Sequence, residues 1–333
     1  MFKFRLSKSV LLLLLLFISS SWVQAENVSF SQIFVFGDSL SDTGNLASLT
    51  GDLPSPYYMN RISNGPVAVE TLATQLGHTV AASLHLIGPA EGTNYAVAGA
   101  NAFGMEAMDL DIQVVSFQAN HVIAPADALY VIFVGGNDVR DVRSETNSIL
   151  ARSKIKAAAA NVRKAIQTLS RAGARSFLLI SSPNIGLMPE TRLIATATND
   201  PGLIERATKL SKQYQDELYK MTRYLKYTSR AKITRFDLFD FFNDLIENAD
   251  YYGFSNTTDA CFNSADTTFH PDCNSGSNFD EFVFFDEIHP TARVHELVGE
   301  ALYETINSAK TAELGWYYYL TNIYSAYTSF QGR

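Results

Sequence analysis

Three short runs in this 333-residue chain are apolar at almost every position and stop abruptly at turn formers. Gln32–Phe36 (QIFVF) ends in Gly37-Asp38, Ala128–Val134 (ALYVIFV) ends in Gly135-Gly136-Asn137-Asp138, and Ser176–Ser181 (SFLLIS) ends in Ser182-Pro183-Asn184. A half-exposed strand would alternate polar and apolar residues. Runs without alternation read instead as strands buried on both faces of a parallel sheet.

Between these runs lie stretches with helical spacing. Ile155, Ala159, Val162, Ile166 and Leu169 fall on one stripe, and Leu203–Leu225 and Ala292–Ile306 show similar periods. Lys232–Phe236 reads as a weaker fourth strand leading into the apolar segment Leu238–Ile246. Strands that alternate with helices predict an α/β fold with helices on both sheet faces. Ligands of such sheets bind beyond the carboxyl ends of the strands. Residues 249–281 differ in kind, being polar and without periodicity, and read as one long loop of the sort that is usually functional or disordered.

With 47% hydrophobic and 18% charged residues, the chain has ample material for a large core, and no linker composition divides it. Residues 1–25 read as a secretory signal peptide: Lys3, Arg5 and Lys8 precede the apolar run Val10–Ile18, and Val23 and Ala25 stand at −3 and −1 of a cleavage expected after Ala25. The run is too short for a membrane anchor, which needs about 18 apolar residues. The expected product is a single secreted domain, 26–333, with no transmembrane segment. Losing those three cations takes the formal charge from −8 to −11. An acidic protein without a basic stripe is a poor nucleic-acid partner. Contact with lipid would have to be apolar. Residues 313–333, with Trp316, Tyr317, Tyr318, Tyr319, Tyr324, Tyr327 and Phe330, read as a terminal helix on the core rather than a lipid-contacting edge.

The two cysteines, Cys261 and Cys273, read in an oxidising compartment as a disulfide closing a small loop. Half of a zinc site is the alternative, but His270 is the only imidazole nearby, and neither a metal nor a cofactor is expected.

Three constellations carry chemistry. Ser39, in Gly37-Asp38-Ser39-Leu40 at the end of the first strand, stands where its hydroxyl could reach a bound carbonyl; a helix-capping turn is the plainer reading. Asp286 and His289 are three residues apart, close enough for the carboxylate to hold the imidazole as a base. Gly99, whose backbone admits close approach, and the Asn137 amide are candidate donors to a developing oxyanion. Such donors are worth about 3–4 kcal/mol each in hydrolases. His295, six residues past His289, is expected on a helix surface.

These blocks resemble the GDSL, or SGNH, hydrolase family, in the family's order: Gly37-Asp38-Ser39-Leu40, Gly99, Gly136-Asn137-Asp138 and Asp286-x-x-His289. The resemblance implies a flavodoxin-like three-layer α/β/α sandwich. It implies Ser39 as nucleophile, His289 as base and Asp286 as its partner, with the Ser39 N–H, Gly99 N–H and Asn137 amide forming the oxyanion hole. Asp42-Thr43-Gly44-Asn45 and Arg61–Pro66 resemble the lipolytic branch, and the size, leader and cysteine loop are similar to secreted lysophospholipases A and glycerophospholipid:cholesterol acyltransferases of Gram-negative bacteria. Ala98 departs from the glycine that many relatives carry there.

The function this implies is a secreted esterase or lipase acting on lipid acyl esters, chiefly lysophospholipids, with acyl transfer to a sterol as a further outcome. Carbohydrate or aryl esters are the alternative substrates, and a catalytically silent adhesin is the non-enzymatic alternative. Two readings of the 261–273 loop stand. It is either a pinned surface loop or a lid that an activating secreted protease would nick.

Overall fold

In the computed structural model, which describes residues 29–309, the apolar runs are β1 (Ile33–Gly37), β2 (Leu129–Phe133) and β3 (Ser176–Ile180), and β4 is Lys232–Phe236. The expected leader and aromatic tail lie outside the described residues. All pairings are parallel in the order β1-β2-β3-β4, with Val35, Val131, Leu178 and Thr234 in register. Every residue of β1 and β2 is buried, which is why neither alternates. β4 is an edge strand, and Lys232 and Arg235 are exposed there.

An extended segment, residues 93–97, runs along the other side of β1. Val35 N donates to Thr93 O, Tyr95 N to Val35 O and Val97 N to Gly37 O. Counting this segment as the second strand, the sheet has the flavodoxin-like order 2-1-3-4-5. The chain therefore leaves β1 to one side and returns to β2 on the other. That reversal opens a crevice at the carboxyl end of β1, where Ser39 lies.

The longer α-helices are α1 (Asn45–Thr50), α2 (Ala68–Gln75), α3 (Leu110–Asn120), α4 (Gly136–Val142), α5 (Ser148–Ala172), α6 (Pro189–Ala197), α7 (Leu203–Thr228) and α8 (Leu238–Glu247), and a further helix spans 292–309. They flank the central sheet in a three-layer α/β/α arrangement. α5 buries its expected stripe from Ile155 to Leu169. It starts where the Asn147 side chain accepts from Ile149 N and Leu150 N, and stops at Gly173, whose φ of 133° suits glycine alone. On one sheet face Phe34 and Phe36 meet Phe117 of α3 edge-on, at 4.9 and 5.6 Å between ring centroids. Burying such a ring contributes about 1.5–3 kcal/mol. Phe117→Ala would cost about 3–5 kcal/mol in this cluster. Among the described residues no helix is long and apolar enough to cross a membrane.

Two expectations need correction. Residues 249–281 are not one structureless loop: β5 (Asn256–Ala260) pairs in parallel with β8 (Phe282–Phe284), and β6 (Phe262–Asn263) forms a small hairpin with β7 (Thr268–Phe269). β5 is polar and pairs with a strand more than 20 residues on, and β6 and β7 are two residues each, so local periodicity carries no trace of them. His295 is not on a helix surface. It is fully packed, with its Nδ1 accepting from Ala68 N at 3.2 Å, because the inward stripe of Val294, Val298 and Leu302 is broad enough to include it.

Candidate active site

The first turn after β1 is built by buried polar groups. Gln113 of α3 grips both polar atoms of the Gly37 peptide, its Oε1 accepting from Gly37 N (2.9 Å) and its Nε2 donating to Gly37 O (2.7 Å). Gly37 can have no side chain, because a Cβ there would sit 2.4 Å from Phe133 O. Asp42 accepts from Gly44 N and Asn45 N, starting α1, and also from Ala98 N, which ties this turn to the segment carrying Gly99. Neither Gln113 nor Asp42 was marked as a site residue by its sequence context. Gln113 acts on backbone 76 positions away and Asp42 on Ala98, 56 positions away, as well as on its own turn.

Ser39, Asp286 and His289 come together. His289 Nε2 lies 2.9 Å from Ser39 Oγ, and His289 Nδ1 lies 2.9 Å from both carboxylate oxygens of Asp286. Asp286 Oδ1 also accepts from Ile288 N (2.8 Å) and His289 N (2.7 Å), so one carboxylate shapes the turn and orients the ring. A carboxylate only accepts, which places the imidazole proton on Nδ1 and leaves Nε2 free to accept from the serine hydroxyl. This arrangement can transfer a proton out of Ser39 as its oxygen attacks.

Asn137, in the first turn of α4, reaches the same place from the end of β2, and its Nδ2 donates to Ala100 O at 2.9 Å. That contact brings it beside Gly99, which has a φ of 89° in the left-handed region. The second hydrogen of Nδ2 is available to an oxyanion. Gly135, just before it, has a φ of 120°, and a Cβ there would meet the Tyr214 ring at 2.3 Å. The small pocket around Ser39 is bordered by Asp38, Asn137, Arg140, Met188 and Ile288.

Two buried acids stand against these groups. Burial pushes the Asp38 carboxyl up to about 7, against opposition from the Leu40 N–H and the His289 charge. Burial likewise raises Asp138 to about 6, although its oxygens accept from Ala102 N and Phe103 N.

Behind the Asp286 turn, Cys261 and Cys273 form the expected disulfide, with Cα atoms 5.4 Å apart. Both are buried with Phe282, and Phe269 and Phe279 pack against them. The loop they close leans on the same turn, since Ser264 Oγ donates to Glu287 Oε2 at 2.7 Å. Together with α6 it walls a cleft of about 560 Å³ that also borders Glu287. A small apolar cavity of about 20 Å³, lined by Leu40, Phe133, Leu238, Phe242, Phe284 and Val298, shares Leu40, Pro183, Met188 and Ile288 with the Ser39 pocket.

The chain is 29% identical over 318 residues to a phosphatidylcholine-sterol acyltransferase of Aeromonas hydrophila, covering 82% of this chain and 89% of that protein. It is 26% identical over 323 residues to a GDSL esterase/lipase of Arabidopsis thaliana, covering 83% of this chain and 87% of that one. Among solved structures, an acetylxylan esterase from Geobacillus stearothermophilus superposes with a TM-score of 0.45 at 14% identity, covering 84% of this chain and 94% of that one. The family model described as GDSL-like lipase/acylhydrolase matches residues 33–302, nearly the whole described fold, and the chain belongs to that family.

Proposed function

We propose that this protein is a secreted serine esterase that cleaves acyl esters of lipids, lysophospholipids first among them, through an acyl-enzyme on Ser39. The observation that carries the reading is the Ser39–His289–Asp286 relay, with Ser39 and His289 in a pocket that also presents the apolar side chains of Leu40, Ile185, Met188 and Ile288. Ser39 Oγ attacks the ester carbonyl while His289 Nε2 takes its proton, and the imidazolium formed is balanced by Asp286. Negative charge on the carbonyl oxygen is met by Asn137 Nδ2 and the N–H groups of Ser39 and Gly99. His289 returns the proton to the departing alcohol. It then takes a proton from water, or from a sterol hydroxyl, whose oxygen attacks the acyl carbonyl, and passes that proton to Ser39 Oγ as the acyl–serine bond breaks.

The apolar side chains of Leu40, Pro183, Ile185, Met188 and Ile288 around Ser39 suit an acyl chain better than a sugar. The acidic balance of the chain suits a zwitterionic or neutral lipid better than an anionic surface. The leader at 1–25 would deliver the protein out of the cell. The 261–273 loop is the proposed target of an activating protease: it is exposed, its ends are held by the disulfide, and it walls the cleft beside Glu287.

The test is release of fatty acid from lysophosphatidylcholine, diacyl phosphatidylcholine, acetylated xylan and aryl acetates, with and without cholesterol, using Ser39→Ala as the blank. Cleavage confined to acetylated xylan and aryl acetates would overturn the lipid reading.

A further inference from the structure

Arg140 sits one helical turn past Asn137 on α4, and its guanidinium spends its donors in two directions. Nη1 donates to Asn137 Oδ1 at 2.8 Å. Nε and Nη2 form a fork onto Glu190, at 3.0 Å to Oε2 and 2.8 Å to Oε1. Glu190 is itself held from the other side by Arg143 Nη2 at 2.8 Å, and its backbone N donates to Glu287 O at 2.8 Å, within the turn that carries Asp286 and His289. One chain of contacts thus runs from the Asn137 amide to the base turn.

An asparagine amide has two ends of nearly the same shape and opposite polarity. With Nδ2 toward the reacting oxygen it stabilises negative charge; turned over, it presents a lone pair and repels that charge. Its surroundings decide between the two. A guanidinium only donates and the Ala100 carbonyl only accepts. In the observed orientation Oδ1 meets Arg140 and Nδ2 meets Ala100 O, whereas the flipped amide would face a donor with a donor and an acceptor with an acceptor.

We infer that Arg140, anchored by Glu190, is a positioning residue that locks the Asn137 amide with Nδ2 facing the developing oxyanion. This rests on the reading of Asn137 as an oxyanion donor. Arg140 acts through Asn137 and not on substrate, so its contribution belongs to the transition state and disappears when Asn137 has no amide to orient.

The experiment is a double-mutant cycle on a soluble aryl butyrate, where lipid packing plays no part. Arg140→Met should lower kcat about 10- to 100-fold with KM within about twofold, and should weaken a boronic-acid mimic of the tetrahedral state by the same factor. In an Asn137→Ala background the same substitution should change kcat by less than about twofold. Arg140→Lys, which keeps the charge but not the planar fork, should recover only part of the loss. Should Arg140→Met fail to fold, Arg140→Lys and Glu190→Gln carry the same cycle. An equal loss with and without Asn137, or a loss confined to KM, overturns the inference and leaves the oxyanion reading of Asn137 intact. An Asn137→Ala variant with unchanged kcat overturns both.

Discussion

Ser39 and His289 are 250 positions apart in the chain and 2.9 Å apart in space. The first stands at the end of β1, the second on the turn before the helix over 292–309. Ser39→Ala should abolish ester cleavage while leaving the circular dichroism spectrum unchanged. His289→Ala should be nearly as severe, and the double variant no worse than the worse single one, because a nucleophile and its base act as a unit. Losses that multiply in the double variant would show that the two residues work independently.

Asn137 is expected to act on the transition state alone. Asn137→Ala should reduce kcat by about 10²- to 10³-fold with KM little changed, measured at saturating ester. A variant that raised KM and spared kcat would assign the amide to substrate binding instead.

Asp38 makes stability depend on pH. Its carboxyl is raised by burial to about 7, so between about pH 4 and 7 the folded protein keeps a proton that the unfolded chain gives up. Stability from this group is therefore greatest at low pH and falls as pH rises, by about 1.4 kcal/mol per pH unit across that window. His295 works the other way. Burial lowers it to about 3, so its contribution is present above its ordinary value of 6.5 and is lost as pH falls toward 3. In Asp38→Asn the first effect is gone and the second remains. Urea unfolding from pH 4 to 8 should show the variant gaining on the wild type up to about pH 7 and then running parallel. Parallel curves throughout would mean that Asp38 is ionised in the folded state.

Nicking the 261–273 loop is expected to raise hydrolysis of long-chain lysolipids several-fold. The lining of the Ser39 pocket comes from outside this loop, so any effect must act from the side, through the cleft wall and the Ser264–Glu287 contact. The disulfide would keep both cut ends in place. A protease site placed between Ala265 and Thr267 allows before-and-after assays on one preparation, with a short aryl ester as the control for the relay itself. No gain on the lysolipid would establish the loop as a pinned surface element.

The sequence by itself determined the parts of this protein that neighbouring residues can encode. Runs such as Phe34–Phe36 and Leu129–Phe133 carry their burial in every position, and the stripe from Ile155 to Leu169 carries its helical face, since both depend on spacings of two to four residues. The resemblance in the blocks around Ser39, Asn137 and His289 pointed to the crevice because each block ends or follows an element that the local pattern already marks. Tertiary structure decided what depends on distant pairs. It put His295 into the core against Ala68, set residues 93–97 beside β1 to create the crevice, and paired β5 with β8. It also turned Gln113 and Asp42 toward site backbone tens of residues away, and brought Glu190 onto Arg140 across 50 positions. No periodicity records such contacts, because a buried hydrogen bond needs only one partner at one distance, and the order of strands in the sheet decides which partner arrives.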